Sequence, residues 1–332
     1  MTIALVVLIV AALAFDFLNG FHDSSNIVAT MISSRAFSGR RALALTALCE
    51  FLGPLLFGVA VATTIGHEVV AAHAITLPVI TAALFGAISW NLFTWFFGIP
   101  SSSSHALVGG IVGSVLVEYG RQAILAHGIA KVLAALLISP PIGLVAGYLI
   151  QRLTLFLLYA RGCSPRVNWY FKRGQLITAV GLALSHGAND AQKTMGIIAM
   201  GLVAAGSIDT FYVPTWVIVV SAGAIAFGTW VGGWRLIRTL GYGFYRIRPI
   251  HALTSQVASA GVILAASLAG GPVSTTQVVS SSIVGAGSAE RVSKVRWRVA
   301  QNIVVAWFLT IPASAAVAAG VYLLLRRLPW AG

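Results

Sequence analysis

Apolar residues run in long, nearly unbroken stretches along this chain: Thr2 to Phe15, Ala42 to Ile65, Ile75 to Phe97, Val132 to Leu158, Ile177 to Ala205, Val213 to Gly233, Ala252 to Ala269 and Val299 to Leu325. Most approach the roughly 20 residues that a helix needs to span a bilayer. The first could pass for a signal peptide, but it lacks a basic leading segment and runs into Asp16, Asn19, His22 and Asp23 rather than a small-residue cleavage site. It is therefore read as a retained membrane segment. The pattern predicts an all-α polytopic membrane protein.

Composition agrees. Of 332 residues, 58% are hydrophobic and 9% charged, and the mean hydropathy is +0.91, far from a soluble domain in which about 25% of residues are charged. The net charge of +13 would suggest a nucleic-acid partner in a soluble protein. Here Lys and Arg gather in short loops between apolar stretches, the bias of cytoplasmic loops, and no nucleic acid is expected. Cys49 lies in an apolar stretch and Cys163 in a basic loop. They form no metal or disulfide framework, and no metal site or cofactor is expected.

Two motifs occur twice, in the same order. Asn19-Gly20-Phe21-His22-Asp23-Ser24-Ser25-Asn26 aligns with His186-Gly187-Ala188-Asn189-Asp190-Ala191-Gln192-Lys193. Pro100-Ser101-Ser102-Ser103-Ser104-His105, closing at Gly113, aligns with Pro272-Val273-Ser274-Thr275-Thr276-Gln277, closing at Gly285. Each half reads as a helix with a polar break, two spans, a Pro-Ser element and a last span. The first repeat is placed at residues 1–158, a basic cytoplasmic linker at 159–174 and the second repeat at 175–332.

Loop charge orients the halves. Arg35, Arg40 and Arg41 follow the first span, whereas the matching loop of the second half carries only Asp209. The next loops reverse this: His67 and Glu68 have no basic company, but Arg235, Arg238, Arg246 and Arg248 crowd the counterpart. Positive-inside alternation thus predicts inverted repeats with discontinuous helices, about ten to twelve membrane segments. With each Pro-Ser element crossing once, the linker and Arg291, Lys294, Arg296 and Arg298 fall inside and both termini outside. Arg121, Arg326 and Arg327 fall on the opposite side to this rule, and a re-entrant hairpin would alter the count.

Asp23 and Asn26 share a helix face, with Asn19 and His22 a turn back. An ionisable group at mid-bilayer costs about 2.5 to 3.5 kcal/mol, so such groups face a cavity, a partner or a transport pathway. Duplication at Asp190 favours the pathway over a mere helix-packing contact. The Pro-Ser elements suit anions. Proline begins a helix whose first N–H groups are unpaired, and hydroxyls of Ser102, Ser103 and Ser104, with Ser274, Thr275, Thr276 and Gln277 opposite, add donors. Two opposed half-helix N-termini can hold a tetrahedral oxyanion without an arginine. A protonated phosphate offers a P–OH donor to a carboxylate, whereas sulfate at neutral pH offers none. The aspartates could instead ligate a coupling cation. Glu50, interrupting an apolar stretch before Gly53-Pro54, is a further candidate cation ligand or proton carrier.

These four motif copies resemble the inorganic phosphate transporter (Pit) family, bacterial branch, whose halves each carry a Gly-Ala-Asn-Asp-type and a Pro-x-Ser-Ser/Thr-Thr-type motif. The resemblance covers nearly the whole chain. It implies secondary active symport of inorganic phosphate across the cytoplasmic (inner) membrane, commonly by a homodimer. It also implies phosphate contacts from Asp23, Ser102 to Ser104, Asn189, Asp190 and Ser274 to Gln277, with Asn26 on the cation side. The chain departs from the sodium-coupled pattern at two places. His22 replaces the first Asn, and Lys193 stands where Asn26 stands in the other half; an ammonium can occupy the volume and charge of a bound sodium. Proton coupling is therefore expected, with phosphate entering free or as a neutral metal complex and His22 or Lys193 influencing the proton step.

Three other readings compete. Ser104-His105 with several aspartates could serve an intramembrane hydrolase, but Gln277 fills the place of His105 in the second half, which suits a pseudo-symmetric binding site better. A sulfate or other oxyanion permease and a passive channel are the rivals among transporters. No Gly-x-x-x-x-Gly-Lys-Ser/Thr loop is present, which argues against ATP-driven transport.

Overall fold

The computed structural model describes residues 2–160, 162 and 166–327. Arg161 and Cys163 of the basic loop lie outside these, as do the side chains of His67 and Glu68. Among the described residues there are twelve α-helices. They are α1 (Ile3–Ser33), α2 (Gly39–Phe57), α3 (Ala60–Glu68), α4 (Leu77–Phe97), α5 (Ser103–Tyr119) and α6 (Ala126–Ala160), then α7 (Val167–Ala204), α8 (Thr215–Val231), α9 (Trp234–Tyr242), α10 (Pro249–Leu268), α11 (Thr275–Glu290) and α12 (Trp297–Leu325). Helices α1, α4, α6, α10 and α12 are each long and apolar enough to cross a bilayer. The pairs α2–α3 and α8–α9, bent by 78° and 71°, bring the number to seven when each counts as one span. The distance from the ten to twelve expected lies in three helices. With 17 and 16 residues, α5 and α11 are short of a full crossing, and the apolar run of α7 is interrupted by His186 to Lys193.

The polar break expected in the first helix of each half is absent. Both α1 and α7 run as continuous helices through their motifs. The polar side chains do not compete for the ladder. Ser24, Ser25 and Thr30 donate back to the carbonyls of Phe21, His22 and Ile27 at 2.9, 3.1 and 3.3 Å, so the backbone stays internally satisfied, as an apolar surrounding demands. The breaks fall elsewhere, at Gly58 (φ 80°) between α2 and α3 and at Gly232 (φ 78°) between α8 and α9. A left-handed φ of this kind is cheap only for glycine.

Two apolar clusters fill the interior, one on each side of a polar layer. Leu5, Leu8 and Phe15 of α1 lie in the first cluster, and Ile27, Val28 and Met31 in the second. Helix α7 does the reverse, with Ala179 and Leu182 in the second and Met195 and Ile198 in the first. The two helices therefore traverse the polar layer in opposite senses. Their packing is reciprocal: α1 lies on α8, α9 and α4, and α7 on α2, α3 and α10. Likewise α5 packs on α4 and α12, and α11 on α10 and α6. Glycines permit the closest crossings. A Cβ on Gly20 would lie 2.0 Å from the Ile225 carbonyl oxygen, and one on Gly187 2.2 Å from that of Glu50.

Helices α6 and α12 form the periphery. Leu149, Leu153 and Phe156 of α6 and Phe308, Leu309 and Leu324 of α12 are exposed. Such a surface is matched by lipid, not water.

Candidate functional site

The polar layer between the clusters is where the four motif copies meet. Asp23, Asn26, Glu50, His186, Asp190, Lys193, Ser102, Ser103, Ser104 and Ser274 through Gln277 are all buried. Thr275 of α11 donates to Asp23 Oδ2 at 3.3 Å and stands 2.9 Å from Asp190 Oδ2, so one hydroxyl joins the two aspartates. Thr276 donates to Asp23 Oδ1 at 2.9 Å and accepts from Asn26 at 3.1 Å. His22 Nδ1 lies 2.9 Å from Asp23 Oδ1.

Lys193 occupies the position matching Asn26. Its ammonium pairs with Asp190 three residues back and donates to Ser104 at 2.6 Å and to the Val273 carbonyl at 3.1 Å. It is fully buried, and these three partners, one from each Pro-Ser element and one from its own helix, match the three donors of an ammonium.

The short helices start three residues later than expected, at Ser103 and Thr275. Pro100 and Pro272 are not the first helical residues; Ser102 and Ser274 are the N-caps. Their hydroxyls accept from the N–H groups of His105 and Gln277 at 3.2 and 3.3 Å, because an N-cap side chain bonds the N–H of the third helical residue. The first backbone ladder bonds come from Ala106 and Val278. Ser103 and Ser104, with Thr275 and Thr276, are left to present first-turn N–H groups, the anion-binding end of a helix. The two ends abut, since Ser104 donates to the Val273 carbonyl at 3.0 Å and Gln277 Nε2 lies 3.4 Å from His105 Nδ1. A void of about 10 Å³ beside Ser104, Lys193 and Pro272 is walled chiefly by aliphatic side chains, among them Ile65, Val69, Leu107 and Leu136.

Ser104 and His105 do not form a nucleophile–base pair. The hydroxyl at hydrogen-bond distance from His105 Nδ1 is that of Ser102, at 2.8 Å, and it already caps α5. Asn189 also departs from expectation. Its amide nitrogen donates to Ser267 and to the Gly271 carbonyl at 2.9 and 3.2 Å, fastening α7 to the turn before α11 and not reaching either aspartate.

Glu50 is drawn into the centre through His186. His186 Nδ1 lies 2.8 Å from Glu50 Oε1, and Nε2 lies 3.2 Å from Asp190 Oδ2 and 3.9 Å from Asp23 Oδ2. Thr229 of α8 donates to the other Glu50 oxygen. His186 and Thr229 were not among the sequence candidates. The signal for His186 was there: it aligns with Asn19 and precedes Asp190 by four residues, hence shares its face. Thr229 left no such signal. No metal site was expected, yet Asp23, His186 and Asp190 each bring a ligand atom within 4.8 Å of the others. That spacing would admit a small cation.

Residues 19–318 match the phosphate transporter family. A protein of Rhizobium meliloti (strain 1021) described as "Probable low-affinity inorganic phosphate transporter" is 44% identical over 319 residues, 96% of this chain and 95% of its own length. One of Bacillus subtilis (strain 168) with the same description is 40% identical over 326 residues, 97% of each. Among solved structures, one titled "The sodium-dependent phosphate transporter" matches with a TM-score of 0.88 at 24% identity, over 98% of this chain and 99% of that one, a likeness of fold. With most of its length matched, both Asp motifs and both Pro-Ser elements included, this multi-pass membrane protein belongs to the phosphate transporter family.

Proposed function

We propose that this chain is a proton-coupled symporter of inorganic phosphate in the cytoplasmic membrane, and that phosphate binds where the two aspartates and the two short-helix N-termini converge. The observation that carries this reading is the Thr275 hydroxyl between Asp23 and Asp190 at the start of α11, where the start of α5 abuts it through Ser104 and the Val273 carbonyl. Positive helix ends attract the oxyanion, and the carboxylates accept from its P–OH. Sulfate supplies no such donor.

Substrate contacts are assigned to Asp23, Asp190, Ser102 to Ser104 and Ser274 to Gln277. Asn189 acts behind them by holding the α10–α11 turn. The coupling groups are His22, Asn26, Glu50 and Lys193, joined by His186. Proton coupling is favoured over sodium because Lys193 already places a fixed positive charge against Asp190, Ser104 and Val273, leaving no equivalent of Asn26 in the second half. A neutral metal–phosphate complex is a second form of the cargo, and the Asp23, His186 and Asp190 grouping is the observation that favours it.

The repeat division at 1–158, 159–174 and 175–332, with inverted topology, is part of the same reading. It is supported by the opposite senses of α1 and α7 and by their reciprocal packing. The two repeats rock about the polar layer to give alternating access. The homodimer rests on the resemblance alone.

The test is phosphate uptake into proteoliposomes without sodium under an imposed pH gradient. Accumulation is expected, with sulfate a poor competitor. Absolute dependence on sodium overturns the coupling; equal block by sulfate overturns the substrate; equilibration without accumulation makes the protein a channel.

A further inference from the structure

Helix α1 carries another carboxylate that the phosphate centre does not use. Asp16 precedes Asp23 by seven residues, two helical turns or about 10.5 Å of rise. Asp16, Asn19, Asp23 and Asn26 recur at spacings that keep them on one helix face. The Asp16 side chain is fully buried, and neither carboxylate oxygen has a hydrogen-bond partner. Two neighbouring polar groups share this condition. Both amide atoms of Asn19, one turn on, are buried without a partner, and so is the hydroxyl of Thr194, which stands beside Asp16 from α7 at the margin of hydrogen-bond reach.

The charged groups facing Asp16 are Asp190 and Lys193 of α7 and Glu50 of α2. Two are carboxylates, and the ammonium is committed to Asp190, Ser104 and Val273. An ionised Asp16 would thus be an unpaired buried charge in acidic company, which costs several kcal/mol. A proton removes the charge and supplies an O–H for which Asn19 Oδ1 and the Thr194 oxygen are free acceptors. A hard divalent cation takes about six oxygens, more than these three side chains supply.

The other candidate proton groups are differently placed. His22 is held by Asp23, Glu50 by Thr229 and His186, and Lys193 by three acceptors. We propose that Asp16 is the residue that takes up and releases the coupling proton, with Asn19 and Thr194 as its partners in the protonated state. This rests on the proton-coupled reading above. The step is a simple transfer: a proton from water on the outer side forms an O–H bond on Asp16, and that bond breaks when α1 faces the inner side, returning the proton to water there. No electrons move.

Wild type, Asp16→Asn and Asp16→Glu are compared in sodium-free proteoliposomes by net uptake under a pH gradient and by phosphate–phosphate exchange without one. Asp16→Asn is expected to keep exchange and to lose pH-driven accumulation to the level of empty liposomes; Asp16→Glu is expected to recover part of it. In infrared difference spectra, a carboxylic acid C=O band seen in wild type should vanish in Asp16→Asn. Full pH-driven accumulation by Asp16→Asn beside an active wild type overturns this assignment alone. Loss of exchange in both variants marks Asp16 as structural and overturns it too. Wild-type uptake that requires sodium removes the coupling reading and this inference with it.

Discussion

Lys193 is a buried cation whose three donors are all taken up by fixed acceptors. Removing one member of such a pair costs about 3 to 5 kcal/mol, because the other is left as an uncompensated buried charge. Lys193→Met should therefore lower the melting temperature of the detergent-solubilised protein and abolish uptake. Adding Asp190→Asn to it should restore most of the stability and none of the transport, since Asp190 also faces Thr275 and His186. Lys193→Asn makes the second motif like the first at Asn26. It is expected to give residual uptake that sodium stimulates, which assays with and without sodium will read directly.

At the scale of elements, reciprocal glycine crossings hold α1 against α8 and α7 against α2. Gly20→Ala and Gly187→Ala each drive a Cβ to 2.0 and 2.2 Å of a backbone oxygen, so the helices must part. Overpacking of this kind costs about 1 to 3 kcal/mol. Both variants should lower thermal stability by similar amounts, whereas Gly223→Ala, which meets open space, should not. The spans were legible because apolar runs of bilayer length need little context to be read. The motifs were legible because duplication singled out Asp23 and Asp190. Three things were not. Polar residues at Asn19 to Asn26 read as a helix break, yet hydroxyl back-bonding and neighbouring helices satisfy them without one. The Glu50–His186 approach joins residues of different helices across 136 positions, and nothing local to either residue reports it. Pro100 and Pro272 misled by three residues, because serine takes the cap that proline cannot.

For the whole molecule, the proposed inverted repeats would set equivalent loops on opposite faces, a reading supported by the exchange of the two apolar clusters between α1 and α7. Ser38 and Asp209 lie in such equivalent loops and are exposed. With Cys163→Ser as background and Cys49 buried, Ser38→Cys should react with a membrane-impermeant thiol reagent only from the cytoplasmic side and Asp209→Cys only from the other. Labelling of both from one side contradicts inverted repeats. The Lys193 ammonium has a further consequence at this scale. A carrier that binds free cations in both halves can raise its cargo to a power of the ion ratio equal to their number. A cation built into the chain returns unchanged each cycle and contributes no driving force, so under the proposed symport it would lower that exponent and with it the steepest phosphate gradient the cell could hold through this protein.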